Sequence, residues 1–360
     1  MHNKQFYFPF IIMIFLTLFS CSNEKEVQID QLFEDFNGND VPGAAVMVIS
    51  EGKPVFIKSY GLASLDKKAP VRSNTNFRLA SVTKQFTAMS IMILVERGQL
   101  SYESTLTDIF PGFPEYGSRV TVRHLLNHTS GLISYESLIP EKADEQILDR
   151  DVLDIMASQD STYFAPGTEF RYSNSGYAVL AMIVEKISGK SFASFLKENI
   201  FEPLEMYNTV AYEKNISTVK NRAYGYAWED SVFVFSDQST TSAVLGDGGI
   251  YSSIDDLFRW DRALYTEKLV SRGTLEKAFT PGVLRNGEET TYGFGWSIGE
   301  YLGHRRIYHG GSTCGFRTAI HRYPDDRLNV IVLTNRRDAQ TDRLAEEIAT
   351  LFLKDKTVNL

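Results

Sequence analysis

Cysteine is nearly absent from this 360-residue chain, which contains only Cys21 and Cys314. Cys21 closes an apolar amino-terminal segment, so the two thiols are not expected to pair, and a fold held by several disulfides is excluded. The spacing of Cys and His residues that holds structural zinc is missing too, so we predict no metal and no cofactor. We interpret Cys314 as a small packing residue rather than a nucleophile.

Basic residues are too few for a nucleic-acid-binding protein. Lysine and arginine number 37 against 45 aspartates and glutamates, which gives a formal net charge of −8. Proteins that bind nucleic acids neutralise phosphates with a basic surface, and no basic patch stands out in this sequence. The hydrophobic content of 43% and the charged content of 23% are ordinary for a globular chain, so disordered and fibrous classes are excluded.

The amino-terminal hydrophobic run is too short to span a bilayer. It covers 14 residues, 6–19, whereas about 18 or more are needed. This length suits a signal peptide over residues 1–20, and Ser20-Cys21 resembles the bacterial lipoprotein cleavage site. We therefore expect Cys21 to carry a lipid that anchors the protein in the bacterial cell envelope, with residues 21–30 as a tether. A plain secretory signal followed by an incidental cysteine is the alternative.

Internal repeats and Pro/Gly/Ser-rich linkers are also missing after the tether, so residues 31–360 are predicted to form one unit. We predict an α/β (α+β) fold, with an antiparallel sheet built from residues 31–80 and 245–360, flanking helices, and a mostly helical insertion at 81–244. The predicted strands are 44–49, 54–57, 290–298, 305–309, 316–323 and 328–334, and the predicted helices are 81–97, 149–159, 176–188, 191–199 and 340–353.

A candidate nucleophile lies in a Ser-x-x-Lys pattern. Of its occurrences in the chain, the one at Ser81 opens a long apolar helix, where Ser81 and Lys84 lie on one face. A buried lysine loses its charge readily and can then accept the serine proton. Taken alone, the pattern is also compatible with a helix-capping serine and a solvated lysine. The six occurrences begin at Ser22, Ser50, Ser64, Ser81, Ser194 and Ser217.

Two further motifs carry candidate site residues. Tyr172-Ser173-Asn174 precedes the helix at 176, where a tyrosine beside a cation can relay a proton and the Asn174 amide can hold both a lysine and a substrate carbonyl. His309-Gly310-Gly311-Ser312 ends a predicted strand, and its two glycines let a substrate backbone lie against the strand edge. Each motif alone is also compatible with a structural turn or a packed histidine.

Together and in this order, the three motifs resemble the serine β-lactamase and penicillin-binding-protein superfamily, most closely its class C β-lactamase-like serine hydrolases. The resemblance extends over about residues 30–355 and selects Ser81 among the Ser-x-x-Lys matches. The stretches that carry it are FRLASVTKQFT (77–87), TVRHLLNHTSGL (121–132), FRYSNSGY (170–177), GGIYSS (248–253) and VLTN (332–335).

The resemblance implies a β-lactamase/transpeptidase-like fold and a role for each motif residue. It implies that Ser81 is the nucleophile, that Lys84 accepts its proton, and that Tyr172 is the general base that relays a proton to the leaving group. It also implies that Asn174 contacts the substrate amide, and that the backbone N–H groups of Ser81 and Ser312 form the oxyanion hole.

The chain departs from the family in the strand motif. His309 and Gly310 stand where β-lactamases and D,D-peptidases usually carry the Lys and Thr of Lys-Thr-Gly, and Gly311 completes the motif. The family's Lys and Thr help to hold the carboxylate of penicillins and of D-Ala-D-Ala. A neutral imidazole is a weaker anchor, although a protonated one would still serve. The departure therefore predicts that the chain is not an efficient β-lactamase. Family members with His at this position resemble peptidases and esterases, and an envelope location suits peptidoglycan-derived peptides, so we expect a D,D-peptidase, a D-aminopeptidase-type enzyme or an esterase.

The sequence leaves other functions to be weighed. A non-catalytic protein that binds cell-wall peptides is disfavoured because all the implied catalytic residues are present. A lipase of the α/β-hydrolase type is excluded because Gly-x-Ser-x-Gly is absent. His124 and His128 lie four residues apart, but no third metal ligand accompanies them, so a structural role is expected. We expect a monomer that acts on a small-molecule or peptide substrate, whose identity the sequence does not give.

Overall fold

The structure, a computed structural model, describes residues 24–139 and 145–353. The predicted signal peptide and the lipidated Cys21 lie outside the described residues. Within the two described ranges, no helix is both long and apolar enough to cross a bilayer. Residues 24–30, which the sequence analysis places in the tether, belong to a helix over residues 24–32 (α1) whose Ile29 is fully buried. The folded body therefore begins earlier than predicted.

Strands from the two ends of the described chain form one antiparallel sheet of six strands, ordered β10–β11–β12–β13–β1–β2. This confirms the predicted fold class. The strands are β1 (Ala44–Ser50), β2 (Lys53–Tyr60), β3 (Leu62–Ser64), β4 (Ala69–Pro70), β5 (Phe77–Arg78), β6 (Val210–Ala211), β7 (Tyr226–Glu229), β8 (Val232–Phe235), β9 (Ile250–Ser252), β10 (Ser297–Tyr301), β11 (His304–Thr313), β12 (Phe316–Tyr323) and β13 (Leu328–Thr334).

The middle of the sheet is covered on both faces. Val46 and Val48 of β1 pack with one hydrophobic cluster, whereas the alternate residues Met47 and Ile49 pack with the other. Successive side chains of a strand point to opposite faces of the sheet. Because both faces are covered here, the sequence of β1 is a continuous apolar run. Helices α1 and α11 supply the first cluster, and the helical region supplies the second.

Helices fill the chain between the sheet segments, as the sequence predicts. Helix α6 ends at Gly189, whose φ of 69° is the left-handed conformation expected of a glycine stop. The α-helices after α1 are α2 (Lys84–Glu96), α3 (Leu106–Ile109), α4 (Val122–Leu126), α5 (Asp149–Ala157), α6 (Asn174–Ser188), α7 (Phe192–Leu196), α8 (Leu245–Gly248), α9 (Ile254–Ala263), α10 (Arg272–Ala278) and α11 (Thr341–Thr350).

The prediction of a strand at 290–298 is wrong for most of these residues, because β10 begins only at Ser297. The preceding segment packs against helix α2 instead of pairing in the sheet. A Cβ on Gly295 would lie 2.7 Å from the carbonyl oxygen of Lys84, and Gly295 has a φ of 78°. The glycine thus serves a close backbone approach, which a count of apolar residues does not reveal.

One edge of β11 is left open, and this edge positions the site. Strand β10 pairs with β11 only from His304 to Tyr308, whereas β12 pairs with β11 from Ile307 to Thr313. Among the strands that the structure describes, residues 309–313 therefore have a neighbour on one side only. An exposed strand edge of this kind can accept an extended peptide as an additional strand.

Candidate active site

Ser81 lies in a short 3₁₀ helix, Ala80–Thr83, that leads directly into α2. Ala80 has a φ of 49°, a left-handed conformation that costs an alanine roughly 1–2 kcal/mol. The turn is fixed from the sheet, because the Thr318 hydroxyl donates a 2.8 Å hydrogen bond to the carbonyl oxygen of Leu79. At the first turn of a helix the N–H groups lack an intrahelical acceptor, so the N–H of Ser81 is available to a ligand.

Lys84 is fully buried one helical turn after Ser81. Its Nζ donates hydrogen bonds to three oxygens: Ser81 Oγ at 3.1 Å, Asn174 Oδ1 at 2.8 Å and the carbonyl of Asp247 at 2.8 Å. Three acceptors match the three donors of an ammonium group, so the charge is accommodated without a carboxylate partner. The structure thus brings together the serine and lysine that the sequence pairs.

Asn174 begins helix α6 and uses both ends of its amide. Its Oδ1 accepts from Lys84, and its Nδ2 donates a 2.6 Å hydrogen bond to Oε1 of Glu136. Because an amide oxygen only accepts and an amide nitrogen only donates, these two partners fix the orientation of the side chain. Glu136 was not identified from the sequence, since no motif surrounds it.

Tyr172 lies in the same cleft as Ser81 and is 41% exposed. The Nζ of Lys84 is 5.0 Å from the centroid of the Tyr172 ring, which is within the range of a cation–π contact. The Tyr172 ring also packs against the imidazole of His128, with centroids 4.2 Å apart. Among the described residues, no hydrogen bond joins the Tyr172 hydroxyl to Ser81 or Lys84.

His124 and His128 both support the backbone, in agreement with the structural role expected of them. Nδ1 of His124 accepts from the N–H of Thr121 and completes the cap of α4. Nδ1 of His128 accepts from the N–H of Ser173, which fixes the segment that carries Tyr172 and Asn174. Burial and the nearby Lys84 hold the pKa of His128 well below its usual value, so this imidazole is neutral.

The open edge of β11 supplies the opposite wall of the cleft. Thr313 and Phe316 flank a two-residue turn, and hydrogen-bonded pairs alternate with non-bonded pairs along the hairpin. The pairs of Ser312 and Gly310 with β12 are therefore of the non-bonded type, and their N–H and C=O groups point into the cleft. The N–H of Ser312 thus faces the same space as Ser81.

Gly311 allows this edge to approach the serine. A Cβ at position 311 would lie 2.3 Å from the carbonyl oxygen of Leu79, closer than real Cβ atoms come to backbone. The cleft has a volume of about 470 Å³. Its lining residues are Ser81, Tyr172, His309, Gly310, Gly311, Ser312, Arg317, Ala339, Gln340, Thr341 and Asp342.

His309 is buried and engaged at both ring nitrogens. Nδ1 lies 2.6 Å from the carbonyl oxygen of Gly310, and Nε2 lies 2.8 Å from the hydroxyl of Tyr292. A carbonyl only accepts, so the proton is on Nδ1, and Nε2 accepts from Tyr292. Burial and the positive charge of Lys84 lower the pKa of His309 to about 4. The imidazole is neutral at pH 7, which removes the protonated anchor considered from the sequence.

Helix α8 presents the third partner of Lys84. The carboxyl group of Asp149 accepts from the N–H groups of Leu245 and Gly246 at 2.7 and 2.9 Å and so holds the start of α8. Burial raises the pKa of Asp149 to about 8. The side chain of Asp247 accepts from Tyr135 at 2.9 Å, and its main chain accepts from Lys84. This support was missed in the sequence, where only the following Gly-Gly was noted.

The fold and the site define a serine hydrolase of the β-lactamase/transpeptidase-like fold. The family model described as Beta-lactamase matches residues 29–353. The chain therefore belongs to the β-lactamase family and is a hydrolase, as its sequence motifs predict.

Similar proteins agree with this assignment. The chain is 36% identical to Penicillin-binding protein 4* of Bacillus subtilis over 329 residues, which are 87% of this chain and 72% of that protein. It is 30% identical to a D-aminopeptidase of Brucella ovis over 297 residues, which are 82% of this chain but only 56% of that protein.

A solved structure shows the same architecture. The octameric penicillin-binding protein homologue from Pyrococcus abyssi superimposes with a TM-score of 0.80 at 28% identity, covering 92% of this chain and 77% of that one. The D-amino acid amidase from Ochrobactrum anthropi has a TM-score of 0.76 at 22% identity, over 94% of this chain and all of that one, which shows a shared fold alone.

Proposed function

We propose that this protein is a lipid-anchored serine hydrolase of the bacterial cell envelope that forms an acyl-enzyme at Ser81. Its substrates are peptides or amides of the D-amino-acid type, as in D,D-peptidase or D-aminopeptidase reactions. The observation that carries the proposal is the contact of 3.1 Å between Ser81 Oγ and the Nζ of the buried Lys84. A serine and a base within hydrogen-bond reach form the usual unit of nucleophilic catalysis.

The reaction follows from the residues around this contact. Lys84, once unprotonated, takes the hydroxyl proton as Ser81 Oγ bonds to the substrate carbonyl carbon. The negative charge moves to the carbonyl oxygen, between the N–H groups of Ser81 and Ser312. Collapse of this intermediate breaks the bond to the leaving group, which receives the proton through Tyr172. Water then hydrolyses the ester, which releases the acid and restores Ser81.

The substrate class is supported by the cleft and by the relatives. The open edge of β11 suits an extended peptide backbone, because no strand of the described residues pairs with residues 309–313 on that side, where the Gly310 carbonyl accepts only from the ring of His309. Penicillin-binding protein 4* and the D-aminopeptidase are similar to this chain over more than four-fifths of its length. The envelope location rests on the sequence of residues 1–21, and the monomeric state also stays a prediction.

An esterase is the second candidate, and the neutral His309 favours it. A substrate with a carboxylate on its leaving group gains little from an uncharged imidazole whose nitrogens are both engaged. An ester with a neutral alcohol as leaving group needs no such anchor. Both candidates share the acyl-enzyme at Ser81, so they differ in substrate preference and not in mechanism.

Steady-state hydrolysis tests the proposal. Wild type, Ser81→Ala and Ser194→Ala are compared on D-alanine p-nitroanilide, D-Ala-D-Ala amide, a p-nitrophenyl ester and a penicillin. Ser194 begins another Ser-x-x-Lys pattern, in helix α7, and provides a matched control. We expect turnover by wild type and Ser194→Ala and none by Ser81→Ala. Turnover by folded Ser81→Ala, or none by folded wild type on any substrate, would overturn the proposal, and the second result would favour a non-catalytic binder.

A further inference from the structure

The side chain of Asp342 occupies the space that a side chain at position 310 would need. A Cβ built on Gly310 would lie 2.6 Å from Oδ2 and 3.0 Å from Oδ1 of Asp342. Gly310 stands where the family motif usually has Thr, and Asp342 is in the first turn of α11, at the rim of the Ser81 cleft. The absence of a side chain at Gly310 thus leaves the space that the side chain of Asp342 fills.

We propose that Asp342 determines specificity by excluding substrates that carry a carboxylate on the leaving group. Its carboxylate lies beside Gly310, where the family motif usually has the Thr that helps to hold that substrate carboxylate. A fixed negative charge there repels a second one. The cleft therefore takes substrates whose leaving group is neutral or cationic, such as amides and esters. Of the reactions proposed above, this disfavours the D,D-peptidase reaction, whose leaving group is a free amino acid, and favours hydrolysis of D-amino-acid amides and esters. This inference rests on the proposed function, since it concerns the leaving group of the acylation at Ser81.

His321 holds Asp342 in place without neutralising it. The buried Nε2 of His321 lies 2.9 Å from Oδ1 of Asp342, and since a carboxylate only accepts, Nε2 carries a proton. Burial lowers the pKa of His321, so its ring is neutral at pH 7. The side chain of Asp342 is 57% exposed, which lets its charge act on the cleft.

The cations near Asp342 are committed to other acceptors. Arg317, which lines the same cleft, donates to the carbonyl oxygens of Phe316 at 2.7 Å and Cys314 at 3.4 Å. Arg343, the next residue on α11, pairs with Glu347 at 2.7 Å. Neither guanidinium has a hydrogen bond to Asp342 within the part of the chain that the structure describes. Asp342 therefore has no arginine partner there, although Arg317 keeps its own positive charge in the same cleft because its acceptors are neutral carbonyl oxygens.

A matched pair of substrates tests the inference. D-Ala-D-Ala and D-Ala-D-Ala amide share their acyl part and differ only in the charge of the leaving group. We expect wild type to prefer the amide in kcat/KM, and Asp342→Asn to reduce this preference about tenfold. Glu300→Gln removes one negative charge at an exposed position of β10 outside the cleft and should leave the preference unchanged. Because Asp342 is half-exposed, the wild-type preference should also weaken as salt is raised.

A second pair of variants tests the shared space. Gly310→Thr should lower the melting temperature when Asp342 is present, and lower it less in the Asp342→Ala background, where the space is free. Asp342→Ala alone should acylate faster with a penicillin than wild type does, because the repelling charge is gone, and the double variant should acylate faster still. Equal effects of Gly310→Thr in both backgrounds would contradict the steric part of the inference.

Failure of the inference is distinguishable from failure of the proposed function. A wild-type preference for D-Ala-D-Ala over its amide, or a preference that Asp342→Asn does not change, overturns the role of Asp342 but leaves the hydrolase standing. A wild-type preference for D-Ala-D-Ala would indicate that Arg317 binds the carboxylate of the substrate. Absence of turnover and of acylation with every substrate, from folded protein, overturns the proposed function itself.

Discussion

Lys84 donates a 2.8 Å hydrogen bond to the backbone carbonyl of Asp247, 163 residues further along the chain. The proposed catalytic base is therefore held by a main-chain group of helix α8, in addition to Ser81 and Asn174. A backbone acceptor cannot be lost by substitution, so its position depends on what holds α8. The carboxyl group of Asp149 does so through two hydrogen bonds to the start of that helix.

Removing Asp149 should displace this acceptor. In Asp149→Ala, two buried N–H groups lose their partner, which costs about 1–3 kcal/mol each at most. We expect a lower free energy of unfolding in urea and a loss of kcat/KM of about tenfold. Asp151→Ala is the control on the same helix, since Asp151 only caps α5 at the surface. Equal kcat/KM for the two variants would argue against a role for α8.

Lys84→Ala should slow acylation by about 10²–10⁴-fold, the usual contribution of a general base. Stopped-flow acylation of Ser81 by a chromogenic ester measures this step. The matched control is Lys197→Ala, which removes the lysine of another Ser-x-x-Lys pattern, one with a side chain 69% exposed and paired with Glu202. A loss of less than tenfold in Lys84→Ala, with the fold intact by circular dichroism, would contradict the assignment of Lys84.

Asn174→Asp should lower activity because it places a negative charge next to Lys84 and Glu136. The new carboxylate would stand where the Asn174 amide now donates to Glu136 at 2.6 Å, so two negative charges would meet. It would also pair with Lys84 and keep the ammonium charged. We expect kcat/KM to fall about 10²-fold, on the scale of a lost general base, and the melting temperature to fall.

Glu136→Gln separates these two effects. In the Asn174→Asp background it removes the repulsion, so the melting temperature should recover while kcat/KM stays low, because Lys84 is still ion-paired. In the wild-type background the same substitution should not stabilise the protein. Recovery of both quantities together would show that Asn174→Asp acts through the fold rather than through Lys84.

Local patterns predicted the elements that carry the site. Helices α2 and α6 and strands β11–β13 lie near the ranges predicted from local sequence signals, 81–97, 176–188, 305–309, 316–323 and 328–334. Each of these signals lies within about fifteen residues, which a sequence shows directly. The pairing of Ser81 with Lys84 belongs to this kind, since one helical turn joins them.

Contacts between segments far apart in the chain could not be predicted from the sequence. Glu136, Asp149 and Asp342 reach the site from loops and helix starts whose local sequence has no distinguishing pattern. The segment before β10 was misassigned for the same reason, because Gly295 serves a contact with α2 that lies more than 200 residues earlier. Such residues become visible only when the fold places the segments side by side.

The neutral His309 predicts a pH dependence of stability. Its folded-state pKa of about 4 lies below the ordinary value of 6.5, so the unfolded chain binds the proton more readily. The stability that the neutral His309 contributes is therefore complete above about pH 6.5 and is lost as the pH falls through 4. His309→Gln should lose less stability between pH 7 and pH 4, by up to about 3 kcal/mol.

Urea unfolding at half-unit pH steps measures this difference. The other buried histidines titrate in both proteins, so only the difference between wild type and variant is attributed to His309. Parallel curves from pH 7 to pH 4 would show that the folded state does not lower the pKa of His309, and the protonated anchor would return as an explanation of substrate binding.

The central claim is an acyl-enzyme at Ser81, and intact-protein mass spectrometry tests it most directly. The purified protein is treated with a penicillin, a p-nitrophenyl ester and a fluorophosphonate, and the modified residue is located by tandem mass spectrometry. The account predicts a single adduct on Ser81 that is absent from Ser81→Ala and present in Ser194→Ala. An adduct on another residue, or none from well-folded protein with any of the three reagents, would contradict it.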